Sequence, residues 1–152
     1  MVYLPGVTST AGIAVTNNAA ILFSTIVSQA PGSKISLNTV NGQVSIATTG
    51  FFQITFGVQP RSAAAFVSGA WTLELAGVSG VIQQIMEYAE SGSGVGQGAQ
   101  DPIFSMTTIV QVTTNPTAIT VVNTTGATRS INNASLTVTG GPAATMTIIQ
   151  LK

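Results

Sequence analysis

The clearest pattern along the chain has a period of two. From Gly50 to Val58, the side chains of Phe52, Ile54, Phe56 and Val58 fall on one face of an extended backbone and Gln53, Thr55 and Gly57 on the other. That alternation predicts a half-buried strand, with a shorter one just before it at Val44 to Ala47. Further strands are expected at Gly69 to Ala76, around Trp71, Leu73 and Leu75, and at Val78 to Tyr88, with Gly77 and Gly80 marking a hairpin. Beyond Asp101, the segments Ile103 to Thr113, Ala118 to Asn123, Ala134 to Thr139 and Ala144 to Leu151 alternate small polar with branched apolar residues. Asn115-Pro116 and the stretch Asn123 to Gly126 supply turns between them. From Lys34 onward no stretch keeps a helical period with caps, so the chain reads as all-β, and its last third fits a sandwich.

Two segments break the alternation. Ser91 to Gln100, SGSGVGQGAQ, is too rich in glycine to hold a regular element and closes at Asp101-Pro102, so it is expected to be a surface loop. Val2 to Ile13 is rich in Gly, Thr and Ser and carries Pro5, the composition of a linker. The expected organisation is an N-terminal linker or peripheral segment over residues 1–13 and one domain over 14–152.

Composition changes the picture of the surface. With 152 residues and 45% hydrophobic content the chain can bury a substantial core, yet only 5% of it is charged. The 22 Thr and 14 Ser must therefore cover the surface with neutral polar groups. Lys34, Arg61, Arg129 and Lys152 are scattered singly, which argues against a nucleic-acid partner, since phosphate binding needs clustered cations. The longest mostly apolar stretch, Ala19 to Val27, is interrupted by Ser24 and Thr25 and is too short to cross a bilayer. With no basic region ahead of it, neither an anchor nor a signal peptide is expected, nor membrane insertion.

Cys and His are both absent, which removes disulfides, thiolate chemistry, imidazole bases and the commonest zinc ligands. No catalytic residue, metal site or cofactor is expected. Glu74, Glu87 and Glu90 could in number supply a carboxylate pair for glycoside hydrolysis, but Glu74, between Leu73 and Leu75, is expected to face solvent or a subunit interface, and Glu87 and Glu90 lead into the glycine-rich stretch. Glu90 and Asp101 flank the glycine-rich stretch, but a calcium site collects more than two carboxylates. Phe51, Phe52, Phe56, Phe66, Trp71 and Phe104 stand at strand spacing and are expected in a core or subunit interface rather than on a sugar-binding platform. The Asn123-Thr124-Thr125 and Asn133-Ala134-Ser135 tripeptides match a glycosylation pattern that a chain this rich in Asn, Ser and Thr produces by chance.

Several segments, taken in order, resemble the C-terminal domain of the collagen-like exosporium glycoproteins of Bacillus, from about Gly12 to Lys152. They are the strand Ile46 to Thr55 with its Thr49-Gly50-Phe51-Phe52 start; the Trp71-Thr72-Leu73-Glu74-Leu75-Ala76-Gly77-Val78 hairpin; the turn Ile109-Val110-Gln111-Val112-Thr113-Thr114-Asn115-Pro116-Thr117; and the ending Asn133 to Val138 followed by Met146-Thr147-Ile148-Ile149-Gln150-Leu151-Lys152. The segments Pro60 to Ala70 and Ser91 to Asp101 depart from that pattern as longer loops.

The resemblance implies a jelly-roll β-sandwich of the C1q/TNF-like type assembling as a homotrimer around a threefold axis. It implies a structural head on a collagen-like stalk at a spore surface, in the exosporium or on an appendage, although no Gly-X-Y repeat is present here. The strand carrying Phe52, Ile54 and Phe56 should then lie near the C-terminal strand carrying Met146, Ile148 and Ile149, making these six the candidates for inner-sheet core or trimer interface. The alternative is a receptor- or glycan-binding head of a bacterial adhesin or phage tail fibre. Its ligand loops would present Arg61, Ser62, Glu90, Ser91 and Asp101 to a host-surface or glycan ligand.

Overall fold

The computed structural model describes residues 2–5, 13–61, 67–76, 84–90, 104–131 and 142–151. In chain order the strands are β1 (Val2–Pro5), β2 (Ile13–Val15), β3 (Thr25–Ile26), β4 (Ile35–Asn38), β5 (Gln43–Ile46), β6 (Gly50–Val58) and β7 (Pro60–Arg61). They continue as β8 (Val67–Ala76), β9 (Gln84–Glu90), β10 (Phe104–Val112), β11 (Thr117–Asn123), β12 (Arg129–Ile131) and β13 (Pro142–Leu151).

These strands form two five-stranded antiparallel sheets, ordered β10-β6-β13-β1-β3 and β4-β5-β11-β8-β9, with a small sheet β2-β12-β7. Neighbours in the first sheet are far apart in sequence: β6 lies between β10 and β13, and β1 pairs with β13 at the other end of the chain. That interleaving of early and late strands is a jelly roll, an architecture that folds both sheets over one core.

The period of two decides what is inside. Phe52, Ile54 and Phe56 on β6 are fully buried, and so are Val44 and Ile46 on β5, Trp71 and Leu73 on β8, and Ile119 and Val121 on β11. Each such side chain removed from water contributes about 1.5 to 3 kcal/mol. Phe23, from the segment after β2, completes this core.

One end of the sandwich is closed by a buried amide. The Asn123 Nδ2 donates to the carbonyls of Val15 (2.8 Å) and Ala127 (2.9 Å), while its Oδ1 accepts from the Thr125 backbone N–H (3.1 Å) and hydroxyl (2.7 Å). The backbone of Asn123 is also tied to the segment after β2, accepting from the Asn18 N–H and donating to the Ala19 carbonyl. The turn between β10 and β11, which contains a cis Asn115-Pro116 bond, is held by the Thr117 hydroxyl donating to the Thr114 carbonyl at 2.6 Å.

The expected strand at Gly50 to Val58 has those ends, and β10, β11 and β13 match their expected segments to within one or two residues. The N-terminal segment differs: Val2–Pro5, read from composition as linker or periphery, is β1, paired with both β13 and β3. Its Val-Tyr-Leu run is a strand whose longer ladder is with β13, more than a hundred residues away, a pairing composition cannot signal. The Gly77 and Gly80 turn and the expected strand at Ala134 to Thr139 lie outside the described residues.

Candidate functional site

The first sheet has an inner face on the core and an outer face, and the candidate site is the outer face of β10, β6 and β13. Cross-strand register arranges its residues in rows: Ser105, Gly57 and Thr145; Thr107, Thr55 and Thr147; Ile109, Gln53 and Ile149; Gln111, Phe51 and Leu151. The rows grade from small and polar at one end to apolar at the other. Ile109 is 62% exposed, Phe51 53% and Ile149 51%, so three large apolar side chains stand together in solvent. The Thr55 and Thr107 hydroxyls hydrogen-bond across the sheet at 2.8 Å.

No Asp, Glu, Lys or Arg occurs in β6, β10 or β13. A face that is apolar, hydroxylated and uncharged offers shape and hydrogen bonds but no Coulomb field, which suits association with a like surface. Among the described residues no group of three or more acidic, His or Cys side chains could hold a metal ion.

The six core-or-interface candidates separate by parity. Phe52, Ile54, Phe56 and Met146 are fully buried inside the sandwich and cannot touch a second subunit. Ile148, opposite Ile54, also points inward but is only partly buried. Ile149 points the other way, onto the outer face, because consecutive residues of a strand alternate sides. Sequence reasoning passed over Ile109, Gln53 and Leu151. The signal was the apolar doublets Phe51-Phe52 and Ile148-Ile149, which mark strands that are apolar on both faces.

Among the aromatic residues, Phe52, Phe56 and Trp71 are core, Phe104 packs partly against it, Phe51 is on the outer face, and Phe66 lies outside the described residues. Glu74, on β8, is half-buried between the fully buried Leu73 and Leu75.

Of the candidate ligand-loop residues, Arg61 ends β7, where it pairs with Ser130 in the small sheet. Glu90 ends β9 opposite Val67 in the second five-stranded sheet. Ser62, Ser91 and Asp101 lie outside the described residues. The two described positions thus belong to different sheets.

No protein-family model matches the chain, and no curated protein matches it in sequence. Among solved structures it is similar to Eiger TNF from S. frugiperda, with a TM-score of 0.57 over 100% of this chain and 94% of that one, at 15% identity. At that identity the likeness establishes the fold, a TNF-like jelly roll.

Proposed function

We propose that the protein is a homotrimeric head domain, that three copies meet through the outer face of β10, β6 and β13, and that it acts by association without a chemical step. The TNF-like fold suggests a trimeric head in general, and the observation that carries the reading here is the exposed trio Phe51, Ile109 and Ile149 on a face without charge. Covering half-exposed side chains of this size contributes roughly 1 kcal/mol each, and threefold symmetry repeats every contact. The display site we propose is the outermost layer of a spore, exosporium or appendage, where the resemblance to collagen-like exosporium glycoproteins would place it. A surface of Thr and Ser with few charges resists changes in salt, as such a position demands.

The test is Ile109→Glu, which puts a carboxylate into the proposed contact at an exposed position that the monomer tolerates. Size-exclusion chromatography should move the variant to the 15.4 kDa monomer while circular dichroism keeps its β signal. A variant that elutes with the wild type would remove this face as the contact.

A further inference from the structure

The middle of the apolar row on the outer face is polar. Gln53, on β6, stands directly between Ile109 on β10 and Ile149 on β13, and Phe51 is its neighbour on the same face along β6. Ile109, Ile149 and Phe51 are each more than half exposed. On the other side of Gln53 is Thr55, whose hydroxyl is already paired with that of Thr107 at 2.8 Å. Gln53 itself is half-buried, and among the described residues its carboxamide makes no hydrogen bond.

A carboxamide carries two N–H donors and an oxygen acceptor. In the single chain water meets them. Closing other copies over Phe51, Ile109 and Ile149 removes that water, and a buried amide without partners opposes association. The isoleucines on either side neither donate nor accept, so the partner must come from another copy.

Rotational symmetry supplies one without any further residue. Around a threefold axis equivalent atoms stand at the same height, so an amide at the axis meets the same amide of the next copy. Each can donate an N–H to the oxygen of the next, and three such bonds close a ring in which every copy gives once and receives once.

We propose that Gln53 sets the register of the trimer: the three Gln53 carboxamides converge on the threefold axis and hydrogen-bond head to tail. This rests on the reading that the copies meet through this face. The position fits, since β6 is the middle strand of the three and Gln53 the middle of its row. Sliding one copy along the axis, or turning it over, sets an amide against Ile109, Ile149 or Phe51 and leaves its N–H and C=O unpaired. The apolar groups alone would tolerate such shifts, because burial of apolar surface has no direction. A single buried amide fixes register and subunit number in coiled coils in the same way, at a cost in stability.

The test places opposite charges at one position. Gln53→Glu and Gln53→Lys, each alone, bring three like charges together, and each should run at 15.4 kDa by multi-angle light scattering at low salt, with its β signal in circular dichroism unchanged. Mixed in equal amounts, they should recover a species of three times that mass, because unlike charges now meet. Ile109→Glu mixed with Ile109→Lys is the control: Ile109 lies off the axis and does not meet its own copy, so this mixture stays at the monomer mass. Gln53→Leu reads the register. It should withstand about tenfold greater dilution than the wild type and show masses besides the trimer.

A wild-type monomer would overturn the contact and the proposal with it. With a wild-type trimer, the proposal alone is overturned if either charged Gln53 variant stays trimeric by itself, if their mixture remains monomeric, if the Ile109 mixture recovers the trimer equally, or if Gln53→Leu gives a single trimeric species. Should the charged variants unfold, Gln53→Leu decides by itself.

Discussion

Ile54 and Ile148 face each other across the β6 and β13 ladder and point into the same core, yet Ile54 is fully buried and Ile148 only partly so. The difference lies in their outer neighbours. β10 lies along the outer edge of β6, while Ile148 lines a cavity with Ile26 and Leu37, and among the described residues no strand pairs with the other edge of β13 beside it. Ile54→Ala should therefore cost about 3 to 5 kcal/mol, by leaving a closed cavity, and Ile148→Ala only about 1 to 2 kcal/mol, because water reaches the gap. Urea denaturation of the two variants checks this, and equal losses would contradict it.

Asn123 is the polar group on which one end of the sandwich depends. Asn123→Leu keeps the volume but leaves the Val15 and Ala127 carbonyls and the Thr125 N–H to find other partners. A loss of about 2 to 4 kcal/mol is expected, read from the denaturation midpoint at unchanged slope. Thr125→Ala removes the hydroxyl's hydrogen bonds alone and should cost about 1 kcal/mol.

Two glycines with nearly equal backbone angles should answer differently to the same substitution. Gly42 (φ +69°) and Gly32 (φ +71°) both occupy the left-handed region, but a Cβ at Gly42 would overlap the backbone of Leu22, whereas one at Gly32 meets open space. Gly32→Ala should cost about 1 kcal/mol, the conformational penalty alone. Gly42→Ala should cost at least twice that, because Leu22 must shift before the methyl fits. Thermal melts of the pair separate sterics from strain.

The proposed contact has no charge to screen, so the assembly should keep the same mass at about 20 mM and about 500 mM sodium chloride. Dissociation by salt, followed by sedimentation velocity, would mean that scattered ions such as Arg61 or Arg129 hold the subunits together instead.

What was legible in the sequence was set by local period. β6 stood out because Phe52, Ile54, Phe56 and Val58 alternate without interruption, and β10, β11 and β13 follow the same rule with smaller residues. β1, β2, β3 and β12 were not legible. They are two to four residues long, too short for a period to show, and each exists because a distant partner holds it, as Met146 holds Val2.

The same limit governs the candidate surfaces. Ile148 and Ile149 both stand among the candidates for core or trimer interface, but a strand sends neighbours to opposite faces, and that single fact separates the core from the outer surface. The row of Ile109, Gln53 and Ile149 needs the register of three strands before it becomes a patch.

The central claim is that three copies join through Phe51, Ile109 and Ile149, and the mass of the purified wild-type protein by multi-angle light scattering tests it most directly. The account predicts one species at three times 15.4 kDa that persists on dilution into the low micromolar range. A single species at 15.4 kDa would contradict it and leave the apolar outer face without a partner of its own kind.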